Sequence, residues 1–213
     1  MTVSTWKKKG LSIDKKGRKV GHSKSLNKYY EKKVYDKLID ATPEEYGSTV
    51  PFWTKKSISN LIKKEFNKDI PSSTLGDYLK NWNLNSDEVN TLKAMFVEAI
   101  GSETYINIKN EAKASYANLW WIKVFIVLKE NSNEYHYHFI INDNIGLLMI
   151  RIYKLPEMVD CFKDFLLSST KSTQKRLFLI VDGLTEAQYD ELNTYIEDNY
   201  KKKILEFIPT FSL

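Results

Sequence analysis

The apolar residues of this chain change period near residue 119. Upstream they recur every three or four positions: Tyr30, Val34, Leu38 and Ile39, then Ile58, Leu61, Ile62 and Phe66, then Val89, Leu92, Phe96 and Ile100. Downstream they come in short bulky runs or alternate, as in Trp120–Leu128, Tyr135–Ile141 and Leu147–Tyr153. A period near 3.6 belongs to a helix with one buried face, and a period of 2 belongs to a strand. Helices first and strands later define an α+β chain. Among 213 residues, 42% are hydrophobic, enough for a real core, so wholesale disorder is excluded.

Composition removes several function classes. The single cysteine, Cys161, excludes a disulfide framework and a multi-cysteine zinc site. His22, His136 and His138 are too few for most metal enzymes. His136 and His138 share one strand face; they could bind a metal, but no third ligand is evident, and a satisfied surface pair is the expected reading. No apolar run reaches the ~18 residues that span a bilayer. The longest, around Leu119–Leu128, is broken by Lys123. The charged N-terminus has no apolar stretch after it, so it does not read as a secretory signal, and the expected compartment is the cytoplasm. No glycine-rich phosphate loop or nucleophile–base set is discernible.

The net charge of +5 conceals a gradient. Residues 1–40 hold twelve Lys/Arg against four Asp/Glu, a net of +8. Residues 41–85 carry +1 and residues 86–213 carry −4. A basic arm on a neutral or acidic body is the charge layout of a nucleic-acid binder, because each cation that meets a phosphate releases condensed counterion. The alternative is a solvated tail that aids solubility.

Four segments follow. Residues 1–28 read as a basic arm, with Lys7, Lys8, Lys9, Lys15, Lys16, Arg18 and Lys19 interspersed with glycines that keep the backbone slim. Residues 29–84 read as a helical domain. In it Thr54 caps a helix with Lys55, Lys56, Lys63 and Lys64 off its apolar stripe, and Ser72 is the expected cap of the next helix, with Leu75, Tyr78, Leu79 and Trp82 inward. Helix, short turn and second helix make the helix-turn-helix pattern. Ser72, Ser73 and Thr74 would meet base edges, with Asp77, Lys80 and Asn81 further along the outer face. The alternative is a helical hairpin that only packs. Residues 85–118 read as a helical connector. Residues 119–213 read as three strands in an antiparallel meander, a helix from Pro156, a strand at Arg176–Val181, a helix capped by Thr185 and a last strand at Ile204–Phe211, in the order βββαβαβ.

The stretch Phe52–Phe66 followed by Ile70–Trp82, with Thr42–Gly47 leading into it, resembles the winged-helix half of mariner-like bacterial insertion-sequence transposases. The stretches Arg176–Gly183 and Ile204–Pro209 look like the second acidic strand of those enzymes and the strand after it. The resemblance implies a ribonuclease-H-like catalytic core behind a winged-helix-like reading head. In that family three acidic groups hold two divalent metals that activate the attacking oxygen. The resemblance carries only one of the three over, Asp182. The strand expected to bear the first acid has Lys123 and no carboxylate, and the helix expected to bear the third would lie past Leu213. Val3–Lys9 looks like the end of a further helix-turn-helix.

The resulting expectation is a sequence-specific DNA-binding protein, a bacterial transcriptional regulator derived from a transposase and without catalysis, metal or cofactor. Its partners would be double-stranded DNA, further copies of itself through residues 119–213, and transcription machinery, with no membrane. The alternatives are a divergent metal-dependent transposase or nuclease, and a transposition inhibitor acting by protein–protein contact.

Overall fold

The structure, a computed structural model, describes residues 26–128, 134–154 and 156–210. Three of its seven described helices begin where a side chain satisfies a free amide of the first turn. Helix α1 (Lys28–Asp40) starts behind Asn27, whose Oδ1 accepts the Tyr30 amide at 3.0 Å. After a 3-10 turn at Pro43–Tyr46, helix α2 (Lys55–Phe66) opens on a reciprocal cap. The Ser57 amide donates to Thr54 Oγ1 and the Thr54 amide donates to Ser57 Oγ. Helix α3 (Ser72–Asn81) has Pro71 at its cap position, with no side-chain cap bond. The expectation for Ser72 is thus corrected: it is the first helical residue, since the fixed φ of Pro71 already sets the entry. Helices α4 (Asp87–Ile100) and α5 (Ser102–Ala114) follow directly, with no strand pair between α3 and α4.

The remainder runs β1 (Ala117–Leu128), β2 (Tyr135–Asp143), β3 (Leu148–Tyr153), α6 (Met158–Ser172), β4 (Arg176–Asp182), α7 (Glu186–Asn199) and β5 (Ile204–Pro209). Helix α6 starts at Met158 rather than at Pro156. The α+β class holds, with seven α-helices and a mixed five-stranded sheet among the described residues. The sheet order is β3-β2-β1-β4-β5. Strand β2 is antiparallel to β1 and β3, and β4 is parallel to β1 and β5.

Alternation along the strands divides the core between two sheet faces. Trp120, Ile122, Phe139, Ile141, Leu179 and Val181 meet Phe162, Phe165 and Leu192 of α6 and α7. Trp121, Ile140, Ile150 and Ile180 meet Val34 and Leu38 of α1, Leu61 of α2 and Phe96 of α4. The stretch expected as a connector is helical and lies on the sheet, with the Phe96 ring edge-on to Trp121 at 5.3 Å between centroids.

The helical layer is stitched to the sheet at Phe52-Trp53. The Trp53 amide and carbonyl exchange bonds with Ile150 of β3, each 2.8 Å. This prolongs the sheet by one residue pair, so the two neighbouring side chains point to opposite faces: Phe52 joins the α6 side and Trp53 the α1 side. Trp53 Nε1 donates to the Leu38 carbonyl at 2.8 Å.

Candidate nucleic-acid interface

Helix α3 presents a divided surface. Leu75, Tyr78 and Leu79 are buried against the helical layer, and Ser72, Ser73, Asp77, Lys80 and Asn81 are exposed, with Thr74 half-buried between. The adjoining α2 buries Ser57, Ile58, Leu61 and Ile62 and leaves Lys55, Lys56, Lys63 and Lys64 in solvent. Thus the sequence-derived contact residues from 55 to 81 lie on two consecutive helices, all of them exposed except the half-buried Thr74. Two of the lysines there are in ion pairs, Lys63 with Asp69 at 3.0 Å and Lys80 with Asp87 at 3.2 Å, and Lys64 lies over the Tyr46 ring at 4.9 Å from its centroid. Both pairs are exposed, where an ion pair contributes little and exchanges readily for a phosphate. Lys7, Lys8, Lys9, Lys15, Lys16, Arg18 and Lys19 lie outside the described residues.

One link was not visible in the sequence. Leu26 is fully buried, and its amide donates to the Tyr78 hydroxyl at 2.9 Å. The same hydroxyl donates to the Leu26 carbonyl at 3.3 Å. The root of the basic arm is therefore fastened to α3. Among apolar inner-face residues Tyr78 reads as one more packing group, so the pattern held no signal for this bond.

A second constellation surrounds Asp182. Strands β1 and β4 run parallel in a register that sets Lys123 opposite Asp182. Lys123 Nζ pairs with Asp182 Oδ2, and Thr210 Oγ1 donates to Asp182 Oδ1 at 2.6 Å. Both carboxylate oxygens are thus occupied. Burial pushes the Asp182 carboxyl up, but hydrogen bonds from Lys123 and Thr210, the lysine charge and the Gly183 amide together hold it below its ordinary value. These residues do not fit a divalent metal: the one carboxylate is occupied on both oxygens, by an ammonium and by a hydroxyl. Among the described residues no group of three or more His, Cys, Asp or Glu could hold a metal.

The Asp182 pairing makes stability depend on pH in one direction. A group with a depressed folded-state pKa contributes stability that is full above its unfolded value of about 3.9 and is lost as pH falls through the folded value. The Lys123 and Asp182 side chains are 29% and 23% exposed, so the pair is less isolated than a fully buried one. Lys123→Met is expected to cost about 2 kcal/mol at pH 7, below the ~3–5 for breaking a fully buried pair. The gap between variant and wild type in urea unfolding should shrink at pH 3. A gap that stays constant between pH 7 and pH 3 would contradict the pairing.

The histidines depart from the expected surface pair. His136 and His138 are fully buried, because α1 covers that end of β2. The Tyr35 hydroxyl of α1 lies 2.7 Å from His138 Nε2. Burial first, then the neighbouring His136, push His138 down to about 3, which keeps it neutral at neutral pH. Cys161 is buried.

No helix among the described residues is long and apolar enough to cross a membrane. Comparison with protein-family models, with curated proteins and with solved structures gave no match.

Proposed function

We propose that this protein binds double-stranded DNA in a sequence-specific way and does not cut it. In this reading it is a bacterial transcriptional regulator built on a transposase-like scaffold. The observation that carries the reading is the outward surface of α2 and α3, with the basic arm rooted beside it at Tyr78. Lys55 and Lys56 position the head on phosphates, and Ser72, Ser73, Thr74, Asp77, Lys80 and Asn81 address base edges. Asp77 suits a cytosine amino group, which donates to a carboxylate.

Two features support the scaffold reading. The strand order β3-β2-β1-β4-β5, with only β2 reversed, accords with a ribonuclease-H-like domain. The Lys123–Asp182 pair accords with a scaffold whose metal chemistry has been replaced by an internal ion pair. Self-association would use the β1–β2 hairpin, where Ile126, Leu128 and Tyr135 are more than half exposed at 57%, 54% and 57%.

The test is capture of sheared genomic duplex by the purified full chain, followed by sequencing of the retained fragments. One enriched site is expected. Retention of no duplex at low salt would contradict the reading.

A further inference from the structure

A cavity of about 600 Å³ opens at the start of β1, between the C-terminal half of α5, the β2–β3 turn and the entry to β4. Lys109, Lys113 and Lys175 line it, together with Asn118 and Asn144, and no carboxylate is among its described lining residues. Lys109 and Lys113 are four residues apart on α5, so they lie on one side of it, about 6 Å apart along the axis. Neither of the nearest acids along the chain, Asp143 and Glu111, is among those lining residues. Asp143 Oδ1 accepts the Ile145 and Leu147 amides of its own turn, at 3.0 and 2.7 Å. Glu111 acts on Glu206 of β5, whose pKa is raised first by burial and then by Glu111 and Glu197.

The residue at the mouth of this cavity is anomalous. Tyr116, just past the Ser115 cap of α5, has φ of 51°, in the left-handed region where chains leaving a helix usually place glycine. The residue is 83% exposed, its position is fixed by a bond from its amide to the Lys113 carbonyl, and the Arg176 guanidinium ties the preceding Ser115 carbonyl at 2.6 Å. A bulky residue in this conformation is disfavoured, and a ring in solvent gains nothing from packing. Both costs make sense if the ring has a partner outside the chain.

We propose that this cleft binds single-stranded nucleic acid: a base stacks on Tyr116, the phosphates lie along Lys109, Lys113 and Lys175, and Asn118 and Asn144 hydrogen-bond base edges. A cationic groove with an aromatic platform is the general form of such sites. It is distinct from the duplex surface. Asn81 and Asn83 border a cleft with Val127 and Leu128, the last residues of β1, whereas this cavity meets its first residues. The nearest β1 residues of the two clefts, Leu119 and Val127, are eight residues apart, about 26 Å along the strand.

The test is photo-crosslinking of the full chain with a dT oligomer carrying one 5-iodouracil, with adducts mapped by mass spectrometry. An adduct on Tyr116 is expected, reduced at least tenfold in K113E/K175E and undiminished in K55E/K56E, which separates this site from the duplex surface. Far-UV circular dichroism checks that K113E/K175E folds. Y116G should lose the adduct at that site while unfolding at the same or a higher denaturant concentration. No adduct at Tyr116, an adduct indifferent to K113E/K175E, or equal labelling by free 5-iodo-dUMP would overturn the assignment to a single strand.

Discussion

Gly183→Ala should destabilise the fold by about 2–5 kcal/mol, combining a left-handed backbone penalty of ~1–2 with an overpacking cost of ~1–3. Gly183 follows the last residue of β4 at φ of 95°, and a methyl group there would stand 1.9 Å from the Val124 carbonyl oxygen and 2.8 Å from its carbon. The obstacle is backbone of the neighbouring strand, which no side-chain rotation can clear. Relief requires the end of β4 to leave β1, and the Lys123–Asp182 register lies at that point. The variant should therefore also lose the pH-dependent part of the stability assigned to Asp182. Gly76 of α3 provides the contrast: nothing lies within 4 Å of a methyl built there. Gly76→Ala is expected to stabilise by about 0.5–1 kcal/mol through a lower entropy of the unfolded chain. Urea midpoints at constant m-value check both. A loss below 1 kcal/mol at Gly183 would show that the strands do not approach as described.

Removal of residues 1–25 should weaken duplex binding for every sequence and flatten its salt dependence. Eight of the chain's thirty-two Lys/Arg lie in that segment, against one acid, Asp14. Each phosphate that the arm no longer neutralises lowers the slope of log K against log salt by about 0.9, so roughly four to eight phosphates correspond to a drop of about 4–7. The cut leaves Leu26 and its two bonds with Tyr78 in place, so the helical layer keeps its anchor. K55E/K56E in the full chain should also lower affinity without changing which sequence is preferred, because in the proposed reading those lysines address phosphates. Fluorescence anisotropy over a salt series measures both quantities. An unchanged slope after truncation would remove the arm from the interface.

The elements were legible in the sequence because each has a local cause. Thr54 and Thr185 cap helices as expected, each bonded to the residue three positions on. The turn at Asn142–Gly146 joins two strands, as its composition implies, and the order βββαβαβ follows from the alternation of runs and stripes. What covers an apolar stripe is not local. The stripes of α1, α2 and α4 tell only that each helix has a buried face. That this face lies on the sheet depends on pairings such as Trp53 with Ile150, nearly a hundred residues apart. The same limit hid the burial of His136 and His138, since strand alternation gives a common face but not the helix above it. For Asp182, the resemblance placed a lysine on the facing strand. Only the parallel register brings its ammonium onto the carboxylate. Tyr116 carried no sequence signal, because its significance is a backbone angle.

The central claim is that the chain grips the double helix without severing it. The most direct measurement incubates the purified protein with its captured genomic duplex at low salt with Mg²⁺, and follows complex formation on a native gel and strand integrity on a denaturing one. The expected result is a salt-sensitive complex in which both strands remain intact. Failure to form any complex, or Mg²⁺-dependent nicking that disappears in Asp182→Ala, would contradict the claim.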